Sequence, residues 1–163
     1  MHSSPESMNL SKDRYFIIVA ASFCIIYCLI SLVNHYNFMT YALDLGAYTN
    51  ALYDYIRFQW NDSTVFKEQA ENLLADHFDL YLIIFSPLSL LFGSYSLLIV
   101  QVCFLLIGGL GVYKYFDCQD NKSMLALPAS ISFLLFFGVF SAVSNDYHSN
   151  VVAASLVPWL FYY

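Results

Sequence analysis

Three apolar runs carry no charge: Tyr15–Val33 and Tyr95–Tyr113, of 19 residues each, and Met124–Val143, of 20. An α-helix rises about 1.5 Å per residue, so each run can cover the roughly 30 Å hydrocarbon core of a bilayer. No water is available in that core. Every backbone amide and carbonyl must be satisfied internally, and for a single uncharged segment only a helix does this. The expectation is an all-α, polytopic helical membrane protein. Composition agrees: charged residues are 11% of the chain, against about 25% in soluble domains, and mean hydropathy is +0.60.

The first run exceeds the roughly 7–15 apolar residues of a signal peptide, and no small-x-small cleavage site follows it, so it reads as an uncleaved span. Val151–Tyr163 is apolar over only 13 residues. A helix that short does not cross a bilayer, and it reads as a truncated fourth span of an N-terminal fragment. Leu80–Phe92 is also 13 residues, contains Pro87 and ends at Gly93. Runs of about 10–14 residues are more often interfacial or re-entrant than spanning.

Lys and Arg prefer the cytoplasmic side. If 80–92 does not cross, Lys12, Arg14, Lys114 and Lys122, four of the six bases, are cytoplasmic. If it crosses, only two are. The first arrangement is expected. Residues 1–14 form a cytoplasmic N-terminus, and 15–163 a single membrane domain of the cell membrane. Its outer loop (34–78) lies on the same side as the turn Asn145–Asn150. A net charge of −6 with no basic patch excludes nucleic acid as a partner. Cys24, Cys28, Cys103 and Cys118 lack metal-site spacing and read as packing residues.

The outer loop holds six acids (Asp44, Asp54, Asp62, Glu68, Glu71, Asp76) against two bases, Arg57 and Lys67. After Asp44, the spacing of Leu45, Tyr48, Leu52, Tyr55 and Ile56 predicts an amphipathic helix at the membrane interface, running to about Trp60, with Asp44 as its N-cap. Asn61–Thr64 reads as a turn that also matches the N-x-Ser/Thr acceptor pattern, and Glu68–Ala75 as a further helical piece. His77 stands between Asp76 and Asp79, where neighbouring carboxylates raise an imidazole pKa and suit it to moving protons. Loop-bound hydrogen bonding is the plainer reading. Asp146 and His148 are two apart in a turn wedged between apolar runs. Ionisable groups at such a boundary are costly unless wet or paired. Gln101, within a span, suggests an interhelical hydrogen bond. Gly108, Gly109 and Gly111 suggest close helix approach, and Pro128 and Pro158 tolerated kinks.

The order Asp44-Leu45-Gly46-x-Tyr48, Asn72-Leu-x-x-Asp76-His77-Phe78, the Pro87 segment, Gln101 and Asp146-Tyr147-His148 resembles a prokaryotic family of multi-pass membrane proteins, domain of unknown function 2079, from about Leu43 onward. Tyr147, Ser149 and Tyr53 stand where the family commonly has Phe, Pro and Trp. None of these departures touches an ionisable position.

The family is in turn similar in layout to type-C glycosyltransferases, which carry acids early in the first outer loop and in the second. That likeness implies transfer of a sugar from a polyprenyl-phosphate donor at the bilayer. Asp44 would be the general base, with His77 and His148 binding donor phosphate or orienting Asp44 and Asp146. Where a metal is used, Asp44, Asp146 and His148 are the ligands, in a set that suits Mg²⁺ or Mn²⁺. Two other readings stand beside it. One is a non-enzymatic transporter or assembly subunit, which would place ionisable residues inside spans. The other is an inactive fragment of a longer protein.

Overall fold

A computed structural model describes residues 10–40, 42–63, 71–76, 79–119 and 122–163. Among the described residues, the regular structure is helical apart from one antiparallel pairing of two-residue strands, β1 (Asp62–Ser63) and β2 (Glu71–Asn72). Helix α1 (Leu10–Tyr36) is followed by α2 (Ala42–Tyr55) and the short turns α3 (Leu73–Asp76), α4 (Tyr81–Phe85) and α5 (Ser89–Phe92). Then come α6 (Ser96–Asp117), α7 (Ala126–Leu134), α8 (Phe137–Ser144) and α9 (Ser149–Tyr162). Two helical runs, Asp13–Tyr36 and Tyr81–Asp117, are long and apolar enough to cross a membrane, and α7 with α8 makes a third if counted as one bent span.

The run Tyr81–Asp117 is not one straight rod. At about 1.5 Å per residue, Phe85 and Phe104 would lie nearly 30 Å apart on a straight helix, yet their ring centroids are 5.8 Å apart. The chain doubles back at Gly93, whose φ of 56° and ψ of −132° end α5. That backbone is open to glycine and strained for other residues. Pro87 has already loosened the preceding turn into 3-10 geometry at Ser86–Leu88, because a proline has no N–H to donate. Residues 81–92 therefore fold back along the first turns of α6.

Polar contacts fix the helix directions. His35 at the end of α1 bonds Ser94 just before α6, at 2.8 Å. Asp13 at its start accepts from the Tyr113 hydroxyl near the end of α6, at 3.2 Å. The two helices are thus antiparallel. Asn34 also donates to the Ser144 carbonyl at the end of α8, at 3.0 Å. The end of α1, the start of α6 and the α8–α9 turn share one end of the bundle.

The 20-residue third span expected from sequence is instead two helices, α7 and α8, bent by 41°. Phe136 adopts an extended ψ of 132° between them. The break frees the Leu134 carbonyl, and the buried Tyr27 hydroxyl of α1 donates to it. A broken helix persists at membrane depth where a neighbouring side chain satisfies the released backbone group. The bend lets Leu134 pack on α6 while Val139 and Val143 pack with Phe23 and Tyr27 of α1.

Helix α6 packs extensively on α9. At Gly108 an added Cβ would sit 2.8 Å from the Ser155 carbonyl, so only a glycine permits this approach. The Trp159 indole donates to the Ile107 carbonyl at 3.0 Å, one turn further on. Small residues bring backbones together where lipid supplies no hydrophobic drive for association.

The outer-loop helix forms with the expected stripe. Leu45, Tyr48, Leu52 and Tyr55 are buried, with Ala51 between them. The stripe packs on Leu82, Leu97 and Leu98 and so roofs the folded-back segment. Two details differ from expectation. Helix α2 begins at Ala42 and places Asp44 in its first turn instead of at the cap. It also ends at Tyr55, and Phe58 has a left-handed φ of 57°, so the chain has left the helix before Trp60. Asn61 is buried and donates to Asp54 at 2.8 Å, which folds the loop onto the end of α2. Of the expected Glu68–Ala75 helix, Leu73–Ala75 lies in α3, Glu71–Asn72 is strand, and 68–70 lies outside the described residues.

Candidate functional site

Asp44, Asp146 and His148 meet at the shared end of the bundle. One ligand atom from each lies within 4.8 Å of the other two. Asp44 reaches the site because α2 starts beside the α8–α9 turn. Its carboxylate in the first helical turn is favoured by the positive end of the helix dipole. Asp146 and His148 reach it because the turn runs extended through His148 (φ −131°, ψ 121°). Successive side chains of extended backbone point to opposite sides, so residues 146 and 148 face the site and Tyr147 faces away from it.

The three groups differ in exposure. Asp44 is exposed, His148 is half-buried and Asp146 is 2% exposed. The His148 Nε2 stands 3.3 Å from Asp146 Oδ1. The other Asp146 oxygen, Oδ2, is buried with no hydrogen-bond partner among the described residues. Burial pushes the Asp146 carboxyl above its ordinary value. The neighbouring His148 and the amides of Asp146 and Leu45 pull it down, and the Asp44 charge pushes it further up. A buried carboxylate oxygen without a donor is costly. It is relieved by a proton or by a cation.

Two carboxylates and one imidazole within this distance fit a hard or borderline divalent cation. The orphaned Oδ2 is the observation that makes the fit specific, because it leaves a lone pair with nothing to accept. A cation here would be held by Asp44, Asp146 and His148 and would neutralise negative charge arriving with a ligand.

Two sets of contacts hold the turn. On one side, Gln101 of α6, 1% exposed, clamps its backbone. The amide Nε2 donates to the Asp146 carbonyl at 3.1 Å and the Ala142 carbonyl at 3.3 Å. The Oε1 accepts from the His148 amide at 2.8 Å. On the other side, Tyr147 is fully buried. Its hydroxyl lies 2.6 Å from that of Tyr81, and its ring meets Tyr48 edge-on at 5.3 Å. Tyr48 in turn donates to Asp79 at 3.1 Å. Burial and the surrounding hydroxyls raise the Tyr147 pKa far above that of a free phenol, so it serves as a neutral hydrogen-bonding ring.

Sequence reasoning placed Gln101 as an interhelical packing residue and gave Tyr147 no role. The structure puts both against the site turn. The available signal was that Gln101 is the sole amide in its span and that Tyr147 lies between Asp146 and His148. His77 lies outside the described residues.

The fold and the site define an α-helical integral membrane protein with a polar cluster at one end of its bundle. The chain matches the family described as "Predicted membrane protein (DUF2079)" over residues 34–163 and belongs to it. That match takes in Asp44, Gln101, Asp146 and His148. None of the curated proteins and none of the solved structures matches the chain significantly.

Proposed function

We propose that this protein is a membrane-embedded glycosyltransferase-like enzyme that takes a sugar from a polyprenyl-phosphate donor. The observation that carries the reading is the meeting of Asp44, Asp146 and His148 around an unpaired carboxylate oxygen at one end of an apolar bundle. Asp44 is the exposed carboxylate of the three, so an acceptor hydroxyl approaching from water meets it first. Asp44 takes the hydroxyl proton as the oxygen bonds to the anomeric carbon. The bond from that carbon to the phosphate oxygen breaks, and its electron pair leaves with polyprenyl phosphate. Asp146 and His148, with Asp44, are the groups that would hold Mg²⁺ or Mn²⁺. A bound cation supplies charge neutralisation for the leaving phosphate. His77 in this reading contacts the donor phosphate or orients the carboxylates.

The same reading sets the topology. The end of α1 and the start of α6 share one end of the bundle, which supports a chain that leaves and re-enters on one side, with 80–92 not crossing. With the N-terminus cytoplasmic, the site faces outward.

The test is transfer from lipid-linked sugar donors by the protein in lipid nanodiscs, comparing wild type with Asp44→Asn. The expected loss is about 10²–10⁴-fold, the scale of general-base removal. Equal rates would take Asp44 out of the reaction.

A further inference from the structure

A concavity of mixed polar and apolar lining lies on the far side of α2. It is a groove of about 490 Å³ between the end of α1, the outer face of α2 and the Gly93 turn. Thr49, Asn50 and Tyr53 line it from α2. At about 100° per residue, these positions turn away from the buried stripe of Tyr48, Leu52 and Tyr55. None of the three side chains has a hydrogen-bond partner among the described residues. Thr40 and Ser94 face them from the opposite wall.

His35 builds that opposite wall. Its Nδ1 lies 2.9 Å from the Thr40 hydroxyl and its Nε2 2.8 Å from the Ser94 hydroxyl. The Tyr95 ring meets it edge-on at 4.6 Å. The imidazole thus bridges the two hydroxyls through its two ring nitrogens. Among the described residues, no Asp, Glu, Lys or Arg lines the groove. A phosphate or carboxylate would be desolvated there without a counter-charge. What the groove offers is hydroxyls and an amide on facing walls, with the apolar faces of Phe38, Leu45 and Tyr53 between them.

We infer that this groove binds an uncharged sugar unit, with Thr49, Asn50 and Tyr53 as its hydrogen-bonding wall. Sugars present ring hydroxyls around their edge and C–H groups on their faces, and the groove matches both. Its volume lies within the range of about 300–1,000 Å³ typical of small-molecule sites. The site does not depend on catalysis at Asp44. The sugar comes either as a free glycoside or as the head of a neutral glycolipid, since the groove opens where α1 ends.

The test is saturation-transfer NMR on the full chain in phosphatidylcholine nanodiscs, with methyl β-D-glucoside and methyl α-D-mannoside as probes. Wild type is expected to saturate the ring protons of at least one probe. Thr49→Val with Asn50→Leu is expected to weaken binding about tenfold or more, the loss of two neutral hydrogen bonds. Tyr53→Phe removes one hydroxyl without altering shape and checks the result should the double variant unfold. Asp44→Asn is expected to retain the signal, which separates this proposal from the transferase reading. Including monogalactosyl diacylglycerol in the nanodisc assigns the source. Displacement of the glycoside identifies a glycolipid head, and no displacement identifies the free sugar. Absence of saturation with both glycosides, or undiminished saturation in the folded double variant and in Tyr53→Phe, overturns the proposal.

Discussion

Gln101→Leu is the substitution that tests how the site is held. Leucine is close in volume and suits a membrane helix, so the change removes hydrogen bonds without creating a large cavity. Three bonds go: those to the Asp146 and Ala142 carbonyls at 3.1 and 3.3 Å, and that from the His148 amide at 2.8 Å. The His148 amide has no other partner among the described residues, and orphaning this part-buried donor costs up to about 1–3 kcal/mol. The two carbonyls lose weaker, longer bonds, each worth nearer the roughly 0.6 kcal/mol average of interhelical bonds in membranes. The sum is about 2–4 kcal/mol. Better burial of leucine at this apolar level offsets part of it, which leaves about 2–3 kcal/mol.

The loss should appear in two measurements. Thermal unfolding in nanodiscs, followed by tryptophan emission, should show the drop in stability. Mn²⁺ binding, followed by electron paramagnetic resonance, should weaken about 10–100-fold, the scale on which groups that orient metal ligands act. Gln101→Glu discriminates further. It keeps an acceptor for the His148 amide but loses both donors and faces the Asp146 carbonyl with a second oxygen. It should therefore destabilise as well, although the His148 contact remains. If Gln101→Leu unfolds within about 0.5 kcal/mol of wild type and binds Mn²⁺ equally well, the clamp does not position the turn, and the argument from these distances fails.

Asp146 makes stability depend on pH. Its carboxyl is raised above 3.8 by burial, so the protonated form is the one the fold favours. Without a cation, that stabilisation is complete below the unfolded value and is lost as pH rises through the folded value. The difference in melting temperature between wild type and Asp146→Asn should therefore shift against wild type as pH climbs above 3.8. Added Mn²⁺ should restore wild type most at the alkaline end, and a difference flat across pH would contradict the burial argument. Gly108→Ala places a Cβ 2.8 Å from the Ser155 carbonyl and should cost about 1–3 kcal/mol by forcing α9 off α6. A melting curve matching wild type would refute it. Tyr27→Phe leaves the Leu134 carbonyl at the α7–α8 break without its donor and should cost about 1 kcal/mol. Amide exchange should quicken at residues 135–140, and unchanged exchange there would show that another group satisfies the carbonyl.

The sequence makes helices α1 and α6 legible because an uncharged run of that length has one stable backbone solution in lipid. Helix α2 is legible for a different reason. Leu45, Tyr48, Leu52 and Tyr55 repeat at helical spacing, and all are buried. Its start lies two residues before Asp44, at Ala42, where no capping residue in the sequence marks it. The break at Leu135–Phe136 is not legible. No proline or glycine pair marks it, and it is stabilised by a tyrosine 107 residues away in sequence. Asp146 and His148 stand out because ionisable groups are expensive at a membrane edge. That expense does not say which of the two is buried.

The residues that shape the site are harder to read than those that form it. A span glutamine is expected to bond another helix, but periodicity cannot say that both ends of Gln101 grip the backbone of the turn carrying Asp146 and His148. The same limit hides the groove. His35, Thr40, Asn50 and Ser94 are ordinary neutral polar residues, spread over 60 positions of chain. They face one another because Gly93 turns the chain back and carries Ser94 to His35 at 2.8 Å. Charge announces itself in an apolar sequence, since its burial is costly wherever it falls. Neutral hydrogen-bonding groups are cheap enough to sit anywhere. Their significance comes from the turn that assembles them, and Gly93 serves both the groove and the acidic cluster. It folds Tyr81 back to Tyr147 beneath the acidic cluster and sets Ser94 against His35 in the groove. A side chain at Gly93 that straightened this turn would disturb both sites together, whereas Gln101→Leu would loosen the acidic cluster and leave the groove intact.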